Sequence, residues 1–217
     1  MKIKVVGAVV CFLLLGASSC TTDQPVTGNG NPKLEVVGDS ITVQSTADLN
    51  AHFGTTYDVG IHAVFGSDTF IMAPNVRADA ATSPTVEIID LGTNDSARLG
   101  LAITGTKDGQ PIVIEPAQTI DDIDGRLDSF AAEFPASTCV VFVTVNTHNP
   151  SWGPANAQAI DDHLRGDPTL FPHLADWDEA YSPTYFDGSD TPHPNEAGRQ
   201  ALLGLEDAAI ASCSPSS

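Results

Sequence analysis

The sequence predicts an α/β protein, a three-layer α/β/α sandwich on a mainly parallel sheet of about five strands. Two observations carry this. Short apolar runs alternate with longer segments of helical periodicity, the pattern of a parallel sheet covered on both faces. After a leader and a polar stretch, the rest of the 217-residue chain has no second composition break and no internal repeat, which suits one domain.

The elements follow in order. Residues 34–37 are an apolar run before a glycine turn and read as a buried strand. Residues 45–53 can form a helix, and 57–64 and 85–91 read as the next two strands. Residues 98–116 show no clear period and are expected to be a long loop or lid over the site, a surface excursion with no catalytic duty being the alternative. A helix is predicted over 119–134, with Ile120, Ile123, Leu127, Phe130 and Ala131 on one face. Residues 136–145 (ASTCVVFVTV) are the clearest strand. A helix over 154–164 has Pro in its first turn, a short strand is expected at 174–177, and a helix over 195–211 closes the chain. Sites in open sheets of this kind gather at the carboxyl ends of the strands.

The first twenty residues read as a signal peptide. Lys2 and Lys4 precede an apolar stretch over 5–15, too short to span a bilayer as a mature helix. Ala17-Ser18-Ser19-Cys20 then resembles a bacterial lipobox, with Cys20 as the acylated residue, although Ala17 stands where leucine is usual. Plain secretion is the alternative. Residues 21–32 (TTDQPVTGNGNP) read as a flexible tether, leaving 33–217 as the domain. That puts the protein outside the cell, anchored to the outer face of a bacterial membrane. Cys139 and Cys213 remain in the domain, and there they are expected to form a disulfide, two buried thiols being the alternative.

Nine Lys and Arg stand against 28 Asp and Glu, a net charge of −19. Such a surface repels nucleic acid and anionic lipid headgroups, so no nucleic-acid partner is expected, and membrane contact only through the lipid anchor.

Three short blocks carry chemistry. Ser40, in Gly38-Asp39-Ser40, follows a strand and should open a helix, where an unpaired backbone N–H and the helix terminus favour developing negative charge. A serine hydroxyl needs a base. His193 is the candidate, and Asp190, three residues earlier, can hold its other ring nitrogen. Asp187 competes for that place from six residues back. Asn94, in Gly92-Thr93-Asn94-Asp95, offers an amide to an oxyanion, and Gly66 a backbone N–H. His52, His62, His148, His163 and His173 form no pair with a convincing zinc spacing, so no metal is expected. No Gly-x-Gly-x-x-Gly or Walker pattern supports a nucleotide, and no cofactor is expected.

Together these blocks resemble the SGNH, or GDSL, hydrolase family over residues 34–213. Gly38-Asp39-Ser40 matches the nucleophile block, Gly92-x-Asn94-Asp95 the asparagine block, and Asp190-x-x-His193-Pro194 with Gly198 the terminal block. The resemblance implies a flavodoxin-like sandwich, with Ser40 as nucleophile, His193 as base and Asp190 as its partner. It implies an oxyanion hole of Ser40 N–H, Gly66 N–H and the Asn94 side chain. The asparagine usual before the glycine is absent, and Gly60 is the alternative to Gly66. Asp176-Trp177 resembles the Asp-Trp of family enzymes acting on acetyl groups of surface polysaccharides. The implied substrate is a small ester or an acylated glycan. O-acetyl transfer to envelope glycan, or a silent glycan- or partner-binding lipoprotein, are the competing readings.

Overall fold

The apolar runs join in one sheet in the computed structural model of the chain, which describes residues 9–14, 17–107, 110–188 and 191–213. In chain order the elements are β1 (Val9–Leu14), β2 (Ala17–Gln24), β3 (Lys33–Gly38), α1 (Ser40–Phe53), β4 (Asp58–Val64), α2 (Thr69–Thr82), β5 (Val86–Asp90), α3 (Thr93–Arg98), β6 (Ile103–Lys107), β7 (Gln110–Glu115), α4 (Ile120–Glu133), β8 (Cys139–Val143), α5 (Pro154–Gly166), β9 (Leu174–Ala175) and α6 (Glu196–Ser212). The seven-stranded sheet runs β1-β2-β4-β3-β5-β8-β9. The five strands β4, β3, β5, β8 and β9 are mutually parallel, as expected. β2 adds antiparallel to β4, and β1 antiparallel to β2. Taken in chain order the parallel strands lie 2-1-3-4-5, the flavodoxin-like order, whose direction reverses between β3 and β5.

Alternation along the strands builds two apolar layers. Leu34, Val36 and Ile88 face α1 and α6, meeting Leu49, Phe53, Leu202 and Leu203. Val37, Ile89 and Phe142 face the other way, against Met72 and Val76 of α2, Leu127 and Phe130 of α4, and Ile160 and Leu164 of α5. α4 starts on a capping box, Thr119 and Asp122 each bonding the other's backbone N–H.

Four segments depart from expectation. Residues 98–116 are not a structureless loop: Arg98 ends α3, and β6 and β7 pair antiparallel. α2 was not anticipated, because Pro74 interrupts it and Phe70 and Ile71 lie exposed beside buried Met72 and Ala73. α1 opens at Ser40, as expected of the serine block, and so starts ahead of the helix read over 45–53, with Asp39 as its cap. Residues 21–32 are held rather than free as a tether. Thr21 to Gln24 pair with Val64 to Ile61 of β4, which gives this edge of the parallel sheet a partner. Farther on, the Asp58 carboxylate accepts from Thr27 N at 2.9 Å, Thr27 Oγ1 at 2.8 Å and Gly28 N at 2.5 Å. Burial works against the charge on Asp58, but these hydrogen bonds outweigh it and hold its carboxyl below the ordinary range.

The expected disulfide is present: Cys139, at the start of β8, is bonded to Cys213, at the end of α6, with Cα atoms 5.7 Å apart. The domain also buries an unusual number of acids. Burial raises Asp90 and Asp95 to about 6 and Asp161 to about 7, and drives Glu206 well above the carboxylate range.

Two predictions follow from these bonds and burials. The bridge spans a sequence separation of 74 residues, which in the chain-entropy account stabilises by about 4–5 kcal/mol. Quantitative reduction should lower the melting temperature by roughly 10 °C; an unchanged melting temperature would remove that contribution. The raised acids bind protons in the folded chain at pH values where unfolded carboxyls, near pH 4, are ionised. The native state therefore holds more protons than the unfolded state from about pH 4 to 7, and stability falls as pH rises through that window. In metal-free buffer the melting temperature should be higher at about pH 5 than at about pH 8, and a rise toward pH 8 would contradict it.

Candidate active site

The loops after β3 and β5 face each other where strand order reverses, the crevice that open α/β sheets use for ligands. Asp39 follows β3 and caps α1, its carboxylate accepting from Ile41 N at 2.8 Å. Ser40 is the first residue of α1 and is buried. An N–H at that position has no intrahelical acceptor. After β5, Asn94 lies in the first turn of α3, also buried, and its amide nitrogen donates to Asp39 Oδ2 at 2.9 Å. That nitrogen carries a second N–H.

His193 comes from the loop before α6. Its Nε2 lies 2.8 Å from Ser40 Oγ. Its Nδ1 lies 3.3 Å from Thr191 Oγ1, which also accepts from the His193 backbone N–H at 3.1 Å. A ring protonated at Nδ1 leaves Nε2 the lone pair that accepts from Ser40. The Phe65 ring, 40% exposed, covers the imidazole with centroids 5.3 Å apart. Burial lowers the His193 pKa below the ordinary histidine value, which favours the neutral ring that can accept a proton. Asp39 moves the other way. Burial, and next the charge of Asp90, push it well above the carboxylate range, against the hydrogen bonds from Ile41 and Asn94. Asp90 itself accepts from Thr42 Oγ1 at 2.7 Å.

Gly66 lies just past β4 at φ +76°, a left-handed conformation that suits glycine. Its carbonyl accepts from Arg98 Nη1 at 2.7 Å, and the next residue, Ser67, brings its hydroxyl to 3.4 Å from Gly38 O. Gly60, the alternative, lies inside β4 opposite Glu35 and away from the carboxyl ends of the strands. Arg98 also sits 3.6 Å from Asp68. Glu115, the last residue of β7, is raised to about 7 by burial first, and then by its hydrogen bond to Asp68 and that group's charge. The β6–β7 pair is thus fastened beside Gly66.

Ser40 and His193 therefore meet, and Asn94 joins them through Asp39. Asp190 lies outside the described residues. Asp187 is taken by Asn195, whose Nδ2 donates to it at 3.1 Å. Asp176 accepts from Arg165 Nε at 3.0 Å and Thr144 Oγ1 at 3.0 Å, while Trp177 is buried and stacks on Tyr185. These contacts hold the pair in the wall beside β8 and the loop before α6. Cys20 lies in β2, immediately before the first residue paired with β4. Sequence reasoning missed the Asp39–Asn94 bond, the Arg98 contact, and Phe65 and Thr191 around the imidazole. Only the helix-capping position of Asp39 offered a signal.

Next to His193 opens a cavity of ≈ 370 Å³, walled by Asn146, His148, Tyr181, Phe186, Asp187 and Thr191 among others. His148 stacks on Tyr181 at 4.0 Å, and Thr191 connects this wall to the imidazole.

Neither a scan of protein-family models nor a search of curated proteins returns a match. Solved structures do resemble the chain. A Bacteroides fragilis protein described as an acylhydrolase superposes with a TM-score of 0.64 at 18% identity, covering 87% of this chain and 91% of that one. The C-terminal catalytic domain of the Streptococcus pneumoniae peptidoglycan O-acetyltransferase A gives 0.61 at 15%, covering 84% and 94%. A member of the lipolytic G-D-S-L family from Veillonella parvula gives 0.58 at 14%, covering 81% and 96%. At these identities the likeness is one of fold, and the chain has the α/β/α fold of the SGNH hydrolases.

Proposed function

We propose that this chain is an SGNH-type serine hydrolase that cleaves or transfers an acyl group of an ester. The contact that carries the reading is the 2.8 Å approach of His193 Nε2 to Ser40 Oγ at the switch point of the sheet. Ser40 attacks the ester carbonyl as His193 takes its proton. The oxyanion is received by the Ser40 and Gly66 N–H groups and the Asn94 amide. The alcohol leaves with the proton from His193, and water then releases the acid by the reverse route. Asp190 completes the triad by stabilising the imidazolium that forms in each step. The printed descriptions of the structural neighbours, an acylhydrolase and an O-acetyltransferase domain, support acyl hydrolysis or transfer.

The cavity beside His193 favours an acylated sugar over a long-chain lipid. Its walls combine stacked rings with the amides of Asn146 and Asn149 and the carboxyl of Asp187, groups suited to hydroxyl-rich ligands. If a sugar hydroxyl replaces water in the second step, the same residues perform O-acyl transfer.

A membrane anchor at Cys20 agrees with the sheet. Pairing between β2 and β4 begins at Thr21, so cleavage before Cys20 would keep the strand that covers the β4 edge. The reading is thus an extracytoplasmic lipoprotein.

Two outcomes are expected. A fluorophosphonate probe should label the wild type and not Ser40→Ala, and that variant should lose ester hydrolysis by about 10⁴-fold or more while keeping its fold. Wild-type rates in Ser40→Ala on every ester tested would sink the mechanism. Made in a lipoprotein-competent bacterium, the protein should partition into detergent, and Cys20→Ala should abolish this. Wild type recovered only from the medium, with an unmodified N-terminus, would remove the anchor.

A further inference from the structure

Between the sheet and α2 lies a second cluster of ionisable side chains, with no part in acyl transfer. The alternation that sends Val37 and Ile89 into the apolar layer under α2 sends Glu35 of β3 and Glu87 of β5 to the same face. The two glutamates are neighbours across the β3–β5 ladder. Asp79 of α2 comes down on them, and His62 of β4 flanks them. Glu35, Asp79 and Glu87 are all at most 3% exposed. Carboxylates that deep need a partner or a proton.

Among the described residues, four of their oxygens have no hydrogen-bond partner: Glu35 Oε2, Asp79 Oδ2 and both oxygens of Glu87. Ligating atoms of Glu35, His62 and Asp79 all lie within 4.8 Å of one another, and His62 Nε2 stands 3.3 Å from Asp79 Oδ1. Donors bound to one cation at about 2.0–2.2 Å sit roughly 3 Å apart, so this edge already has the spacing of a coordination shell. The other ring nitrogen, His62 Nδ1, faces Asp23 Oδ1 at 3.0 Å. A metal-binding imidazole has the same outer carboxylate, which takes its N–H and turns the lone pair of the other nitrogen inward. Space is also cleared for the cluster: a Cβ on Gly60 would lie 1.7 Å from Glu35 Oε2.

We propose that Glu35, His62 and Asp79 bind a divalent first-row transition cation, with Glu87 as a further anion beside it. One imidazole among carboxylates suits zinc better than calcium, which takes six to eight oxygens. The cation joins β3, β4 and α2 and adds positive charge among acids that His62 alone offsets only in part. The site is structural, and it does not depend on the esterase reading.

Purified protein, stripped with a chelator and dialysed, should bind one zinc per chain in calorimetric titration. At zinc about a hundredfold above its dissociation constant the melting temperature should rise by about 5–10 °C. The near-isosteric double variant Glu35→Gln with Asp79→Asn should lose both responses. Should that variant fail to fold, zinc-edge X-ray absorption of the wild type decides instead. It should show one imidazole with oxygen neighbours at about 2.0–2.2 Å. No zinc bound, equal binding by the folded variant, two or more imidazoles on the zinc, or binding of calcium and not zinc would each overturn the proposal. His62 would then be a protonated bridge between Asp23 and Asp79.

Discussion

Asp39 holds the crevice together. One oxygen of its carboxyl caps α1 through Ile41 N and the other accepts from Asn94, a residue 55 positions away at the end of a different strand. The first bond sets where α1 begins and so where Ser40 points. The second fixes the amide opposite. Because both run to one buried side chain, the ends of β3 and β5 cannot shift independently. Its neighbours add to the constraint: Thr42 on α1 is bonded to Asp90 at the end of β5, parallel to the Asp39–Asn94 link. The serine thus rests on a frame with two cross-ties rather than on a mobile loop.

Acidity pervades that frame. A chain with so few cations cannot neutralise its inner carboxyls with Lys or Arg, so several are held by protons or hydrogen bonds instead. Asp95 accepts from Thr69 N at 3.1 Å and from Thr69 Oγ1, which tethers the start of α2 to α3. Arg126 is one of the few cations reaching inward, donating to Thr69 Oγ1 at 2.7 Å. The fold is therefore sensitive to proton activity in its interior as well as at its surface.

How much of this was legible depended on how local each signal is. The inner parallel strands are largely buried on both faces and leave short, mostly apolar runs, so they could be placed from the sequence. β6 and β7 lie outside the main sheet and are partly exposed, and the short apolar run at 111–114 sits among glycines and prolines that read as a loop. α2 hides behind Pro74, and α3 is six residues long. Ser40, Asn94 and His193 were found through short motifs, but what joins Ser40 to His193 spans 153 positions and exists only in the fold. The acidic cluster under α2 eluded a search for local zinc spacing because its residues come from four different elements. The polar stretch after Cys20 was misread for a related reason: its partners, β4 and Asp58, lie far along the chain.

The bridge from Cys139 to Cys213 encloses α5, β9, the His193 loop and α6 within one covalent ring. A protease that cuts once anywhere in this ring opens the backbone without releasing a fragment. The piece bearing His193 remains tied to the piece bearing Ser40 and Asn94. In a compartment rich in proteases, nicking of this half of the molecule therefore cannot by itself carry the histidine away from the serine, and both a cut and a reductant are needed to separate them.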